Sequence, residues 1–504
     1  MWSNPVQASQ ASKTNRAEFA RLPWEKPRVR IGARLYFAAS MVAQGSALIR
    51  YVILARILGP EELGLAAMLV LTAQFFESIS DTGADRFVVQ DPDGGEPRMV
   101  GLVHLAMSLR GVMIAVLLAL TAGLAARLYG APQITPALQV LALAPLIAGF
   151  TNYDMRRAQR SGDFRPESYV TIVGEVIGVG ASAAAAIIVR DHTAVLYGLI
   201  TRAVVMLAMS HAIAKHRYAW AFGRQESRRF FTFAGPLAIN GLFLYFGSQG
   251  DRLLVASGLG AAALGQYSAI LLLIFNPTSA VARFLQGIHL PHVARARDDA
   301  PALLAQGDQI AGQSLLLAVG AVVGFALAGP FLAPLLYGKL GAQPLLMFAG
   351  LGAVQAARLL RGWPTAIALG LGRSGDVMIN NIVRVIALPV AFVANLHWHV
   401  LTAILAAFFL GELLALIGGL WLLIRQSAAP LRSSVRRTGM FVATSAATVT
   451  FAAASQFDHR VPQLLAAAAL LALLVAVCAQ EKATLGEARD AILARLRRRG
   501  PDSI

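Results

Sequence analysis

A single cysteine, Cys478, stands among the 504 residues, inside an apolar run. Disulfide frameworks and cysteine-based metal sites are therefore excluded. Charge is scarce too: Asp, Glu, Lys and Arg make up 14% of the chain, against about a quarter in a soluble domain. Acids are the scarcer sign, 27 against 44 Lys and Arg. The polar faces that would recur at helical period in a soluble bundle are missing. So are the alternating segments of about 10 residues that mark an outer-membrane barrel. Residues 1–32 are polar and basic, with no apolar stretch resembling a secretion signal, so the first apolar run is expected to remain as a helix.

What is plentiful is apolar surface. Hydrophobic residues make up 57% of the chain and the mean hydropathy is +0.60. Runs such as GVMIAVLLALTAGLAA (111–126), TAILAAFFLGELLALIGGLWLLI (402–424) and QLLAAAALLALLVAVCA (463–479) approach or exceed the roughly 20 residues of a membrane-spanning helix. The fold class read from this pattern is an all-α integral membrane protein with about 14 transmembrane helices. Their expected spans are 34–57, 62–80, 100–127, 136–156, 168–189, 193–214, 231–257, 263–288, 309–335, 345–368, 376–395, 400–424, 438–456 and 462–480.

Basic residues collect on alternate loops. One set holds Arg156, Arg157, Arg160 and Arg165, then Lys215, Arg217, Arg224, Arg228 and Arg229, then Arg425, Arg432, Arg436 and Arg437, and ends in ARLRRRG. The other set keeps only scattered bases such as Arg127, Arg190, Lys339 and Arg460. Cytoplasmic loops carry the excess of Lys and Arg, so both termini are expected inside. The net charge of +17 is then accounted for by loops facing anionic membrane lipids, and no nucleic-acid partner is needed. The tail EARDAILARLRRRG is expected to lie on the inner surface as a basic amphipathic helix.

LGPEELG (58–64) has an echo in LGAAALG (259–265), at an offset of 201. Leu128-Tyr129-Gly130 returns as Leu336-Tyr337-Gly338 at an offset of 208, and Arg160-Ser161-Gly162-Asp163 as Arg373-Ser374-Gly375-Asp376 at 213. Three echoes in one order describe an internal duplication. Six helices separate equivalent points, so the halves enter the membrane in the same direction as parallel repeats. The expected organisation is a basic tail (1–32), an N-lobe of six helices (33–214), a linker (215–230) and a C-lobe of six helices (231–425) around a central cavity. Two additional C-terminal helices (426–480) and a second basic tail (481–504) follow. Parallel halves rocking about a central cavity suit alternating access, and Pro236, Pro277 and Pro389 are expected kinks.

Three stretches carry a family resemblance: RLYFAASMVAQGSALIRYVILARILGPEELGLAAMLVL, FAGPLAINGLFLYFGSQGDRLLVASGLGAAALGQYSAILLL and PFLAPLLYGKLGAQPLLMFAG. They resemble the polysaccharide (oligosaccharide) flippases of the multidrug/oligosaccharidyl-lipid/polysaccharide exporter superfamily. The second is the most specific, with an Asp-Arg pair, then LG, a spacer and LGQY. The resemblance covers most of residues 30–425. It implies a bacterial inner-membrane protein that turns undecaprenyl-pyrophosphate-linked oligosaccharide from the cytoplasmic to the periplasmic leaflet, for O-antigen, capsule or exopolysaccharide. Other polysaccharide assembly proteins, a polymerase or a chain-length regulator, are the protein partners it implies.

Ionisable residues within spans each need an account, because one at mid-membrane costs about 2.5–3.5 kcal/mol on insertion scales. The bases are Arg50, Arg110, Arg202, Arg252, Arg283, Arg358, Arg361 and Arg384; the acids are Glu77, Glu175, Asp251 and Glu412. If they share one cavity it is cationic, which suits a pyrophosphate because guanidinium binds phosphate oxygens bidentately. Arg50, Arg110, Arg202, Arg252 and Arg384 are the expected cargo contacts. The four acids are expected to couple transport to an H+ or Na+ gradient or to pair with arginines, Asp251 beside Arg252 and Glu77 with Arg50, with the membrane potential as the alternative driving force. No cofactor, metal or enzymatic chemistry is expected. GLGRSG (370–375) matches a dinucleotide-binding pattern but lacks its strand and helix context, and His397-Trp398-His399 lacks a third ligand. The rival readings are a lipid II flippase, a cation-coupled drug antiporter of the same superfamily, and a membrane-embedded polysaccharide polymerase or ligase. Short outer loops argue against the last.

Overall fold

The computed structural model describes residues 27–426, 430–457, 460–486 and 489–490. The tail sequence ARLRRRG and most of the basic N-terminal tail lie outside the described residues. All regular elements among the described residues are helical: α1 (Pro27–Ile57), α2 (Pro60–Ile79), α3 (Ala84–Gln90), α4 (Pro97–Leu128), α5 (Thr135–Leu141), α6 (Leu143–Ala148), α7 (Asp154–Arg160), α8 (Arg165–Ile188) and α9 (Ala194–Ile213). There follow α10 (Arg224–Ala296), α11 (Ala300–Tyr337), α12 (Leu345–Gly370), α13 (Ser374–Val385), α14 (Ala387–Trp398), α15 (Leu401–Arg425), α16 (Leu431–Ala454) and α17 (Arg460–Gln480).

Ten described helices are long and apolar enough to cross a bilayer, and the chain is a multi-pass helical membrane protein. About 14 spans are expected from the apolar runs, and the difference has physical causes. The 73 residues of α10 enter the ten once. α5 and α6 are each too short to cross. α12 carries Arg358 and Arg361, and α16 opens with Arg432, Arg436 and Arg437 and continues rich in Thr and Ser.

A straight helix of the length of α10 would run about 110 Å at 1.5 Å per residue, several times the bilayer core. It does not run straight. Gly260 is non-helical at φ 84°, ψ −179°, a region essentially closed to residues with a Cβ. Tyr267 donates a hydrogen bond to Asp251 across 16 residues at 2.8 Å, and Arg252 Nε donates to Ser268 at 3.3 Å. Sixteen residues of continuous helix would hold those groups about 24 Å apart. Residues 224–259 and 261–296 are therefore two helices folded against each other at Gly260.

Proline accounts for two further interruptions. The break between α5 and α6 is at Ala142, three residues ahead of Pro145, and that between α13 and α14 is at Ile386, three ahead of Pro389. Each proline removes a donor that the preceding turn would use. The expected kinks at Pro236 and Pro277 are absent as breaks, since Gly260 is the one non-helical residue within α10.

The segment joining α9 to α10 is pinned to the end of the first repeat. Asp154 accepts hydrogen bonds from the Lys215 amide at 2.7 Å and faces the His216 ring at 2.6 Å, and Tyr218 stacks on His104 with centroids 4.2 Å apart. At the same end Arg229 pairs with Asp91 and Asp93, each at 2.6 Å. The last two helices are tied in by Arg437, whose guanidinium pairs with Asp308 at 2.5 Å and Glu481 at 2.8 Å.

Candidate functional site: two buried arginine clusters

The helices place the ionisable residues in two separate groups rather than around a single cavity. In the first repeat Glu175, on α8 and 4% exposed, is the hub. It accepts from Arg202 Nε at 2.6 Å and from Ser46 at 2.5 Å, and Arg50 Nη2 lies 3.6 Å away. Two bases on one acid leave a formal charge of 2 − 1 = +1. The expected Glu77–Arg50 pair is not formed, because Glu175 on the helix packed beside α1 takes that arginine.

In the second repeat Glu412, on α15 and 1% exposed, is the hub. Arg358 Nε lies at 2.8 Å, Arg361 Nε at 3.0 Å and Arg384 Nε at 3.0 Å, and Asp251 is 3.9 Å from Arg358 Nη2. Three bases against two acids again leave 3 − 2 = +1. The Arg384 contact lacks hydrogen-bond alignment. Its Nε has no acceptor among the described residues, and the same holds for Arg358 Nη2 and Arg50 Nε.

One charged position is shared between the two repeats with its sign exchanged. Arg50 corresponds to Asp251 at the offset of the first echo (251 − 50 = 201). Arg384 is one turn from the position equivalent to Glu175 (175 + 213 = 388). At the position shared by Arg50 and Asp251 the buried charge is kept and its sign is inverted. Each site needs a countercharge when desolvated, so an exchange of both partners preserves neutralisation while a single change does not.

The remaining residues stand apart. Arg110 donates to Ser80 Oγ and the Glu77 carbonyl, each at 3.1 Å. Arg252 does not pair with the Asp251 carboxylate; its Nη1 donates to Gln249 at 3.1 Å, while Asp251 is held by Tyr267 and the Arg252 amide. Arg283 reaches Gln44. The Glu77 carboxylate has no ion pair among the described residues. It lines a cavity of about 220 Å³ with Arg202 and Thr151, otherwise walled by apolar side chains such as Phe76, Leu118 and Met206.

Arg358, Arg361 and Ser46 were absent from the expected cargo set. Their spacing carried a signal: Arg358 and Arg361 are i, i+3, and Ser46 and Arg50 are i, i+4, so each pair shares one helix face. GLGRSG ends α12 as a turn, with the Arg373 amide donating to the Ala368 carbonyl at 2.8 Å, a helix-capping bond rather than a phosphate cradle.

The polysaccharide biosynthesis protein family matches residues 53–340, more than half of the chain. The succinoglycan biosynthesis transport protein ExoT of Rhizobium meliloti (strain 1021) is 27% identical over 254 residues, covering 49% of this chain and 50% of the relative. The lipopolysaccharide biosynthesis protein WzxC of Escherichia coli (strain K12) is 20% identical over 315 residues, covering 61% and 63%. The chain thus spans about half the length of the first relative and under two thirds of the second. Among solved structures, the lipid II flippase MurJ in an inward closed conformation superposes with a TM-score of 0.64 at 12% identity, over 90% of this chain and 99% of that one. At that identity the likeness concerns the fold alone.

Proposed function

The chain belongs to the polysaccharide biosynthesis protein family, and from that premise we propose that it is a flippase for lipid-linked oligosaccharide. Its cargo in this reading is an undecaprenyl-pyrophosphate-linked repeat unit. The unit is moved from the cytoplasmic to the periplasmic leaflet of a bacterial inner membrane, with both termini in the cytoplasm. The observation that carries the reading is the pair of buried clusters, each with one guanidinium in excess and with guanidinium nitrogens that lack acceptors. A pyrophosphate supplies both what the charge count and what the donors are short of. An organic cation would add to the excess, which disfavours drug efflux.

Energy coupling is assigned within this proposal to Glu77. Asp251 is closed off by Tyr267, and Glu175 and Glu412 are committed to arginines. Glu77 alone among the four acids combines a cavity with freedom from an ion pair among the described residues. Glu77→Gln is expected to leave the protein folded and to remove the dependence of transport on an imposed proton gradient, measured in proteoliposomes. Gradient dependence equal to that of the parent protein would move the assignment elsewhere.

The direct test of the function is sidedness. The saccharide of the lipid carrier pool is labelled in intact cells with an impermeant reagent, with and without this protein. Accumulation of unlabelled, inward-facing lipid-linked oligosaccharide on depletion is the expected result. Unchanged pool size and sidedness, in a strain without a redundant transporter, would overturn the reading.

A further inference from the structure

The two LG turns meet in the folded protein, and they meet reciprocally. Gly64 ends the first motif and Gly265 the second (265 − 64 = 201); Pro60 and Ala261 follow their first LG pairs (261 − 60 = 201). A Cβ on Gly64 would overlap the Ala261 carbonyl oxygen and come within 2.9 Å of its Cα. A Cβ on Gly265 would overlap the Pro60 carbonyl oxygen and lie 3.0 Å from the Gly64 amide nitrogen. Each repeat thus seats its closing glycine on the backbone of the other, as two copies of one motif do across a two-fold axis. Only a residue without a side chain allows so close an approach.

Other cross-repeat contacts collect at the same end. Arg56, in the last turn of α1, donates through Nε to the Leu336 carbonyl at 2.8 Å and through Nη2 to Leu335. It thereby satisfies carbonyls that the end of α11 leaves unpaired. Tyr51 donates to the Gly265 carbonyl at 2.9 Å and meets Tyr337 edge to face. Away from this end the second segment of α10 loses its cover, with residues 267–271 buried and Phe284, Ile288 and Leu290 exposed, while its first segment stays packed on α2, where Tyr245 donates to the Leu71 carbonyl at 2.9 Å.

We propose that the twin LG turns, with Arg56 as a latch, form the periplasmic gate of this transporter, closed in this structure by the reciprocal seating of Gly64 and Gly265. Backbone-on-backbone contact holds few side-chain anchors, so the two turns can part as rigid units and reseat in one register. The duplicated motif is kept in this account because each copy is the other's seat. The proposal takes the direction of opening, and what passes, from the flippase reading; the seal itself is read from geometry.

The test separates the two. In full-length protein carrying Cys478→Ser, Ala256→Cys places the one thiol behind the seal at a fully buried position. Labelling by an impermeant maleimide applied from the periplasmic side is followed with time. Gly64→Val and Gly265→Val wedge the seal and are expected to raise the labelling rate on the order of tenfold by shifting the population towards an open gate. Gly45→Val and Gly320→Val, where a Cβ meets open space, are expected to leave it unchanged. Arg56→Ala adds no bulk, so it reads the gate even if the wedged proteins fail to fold, and it is expected to raise labelling in the same direction. Unchanged labelling in Arg56→Ala and in every folded wedge variant overturns the gate. A gate that responds in this assay, in a protein that leaves lipid-linked oligosaccharide sidedness unaltered, keeps the gate and overturns the flippase.

Discussion

Replacing Glu412 by Gln is expected to cost the folded protein about 3–5 kcal/mol, the range for breaking a buried ion pair and leaving its partner uncompensated. The reason lies in the count around it. Arg358, Arg361 and Arg384 all converge on that carboxylate, with Asp251 touching only Arg358 and at 3.9 Å. Without Glu412, three guanidinium groups face one distant acid at the middle of the helices, where water cannot screen them. Detergent-solubilised protein should lose its monodisperse fraction at a markedly lower temperature, measured by size exclusion after graded heating. Adding Arg384→Gln to the Glu412→Gln background should recover part of the loss, because it removes one of the stranded charges. A double variant no more stable than Glu412→Gln would show that charge balance is not what Glu412 supplies.

Arg384→Gln on its own should do the opposite, preserving the fold while slowing transport. The cluster falls from 3 − 2 = +1 to 2 − 2 = 0, so burial becomes easier to satisfy. What is lost is a guanidinium whose Nε has no acceptor among the described residues and which would lie 3.0 Å from a Cβ placed on Gly247. If that group takes a cargo phosphate oxygen, its removal forfeits a charged hydrogen bond of about 1.5–3 kcal/mol, roughly 10- to 150-fold in translocation rate. Arg384→Lys keeps the charge but not the planar fork, and should fall between the two. The measurement is flipping of lipid-linked oligosaccharide in proteoliposomes, with thermal stability recorded on the same samples. A stable Arg384→Gln protein with full transport would remove Arg384 from the cargo path.

Stability and transport thus respond in opposite order at the two partners of one ion pair. That contrast follows from the excess of arginine over acid and would not arise in a balanced cluster. The first repeat offers a weaker version, since Glu175 neutralises only Arg50 and Arg202 and is also held by Ser46.

The amino-acid sequence by itself determined the solvent and the helical class and pointed to a duplication. Apolar runs of spanning length leave few alternatives, and the three echoes keep their order at offsets from 201 to 213. It also located where charge enters the membrane, because an ionisable residue inside an apolar run is visible one residue at a time. Tertiary structure decided everything that depends on partners. Glu175 and Ser46 are 129 residues apart, and Arg358 and Glu412 are 54 apart, so proximity in sequence pointed to the wrong pairs, Asp251–Arg252 and Glu77–Arg50. That Asp251 stands where Arg50 stands in the first repeat can be read from the offset of 201, but not which partner each takes, because the partners lie on other helices. The turn at Gly260 shows the limit most plainly. Its glycine could be read, but not that its neighbours would meet those of Gly59, because that contact spans two hundred residues and exists only once both repeats have folded against each other.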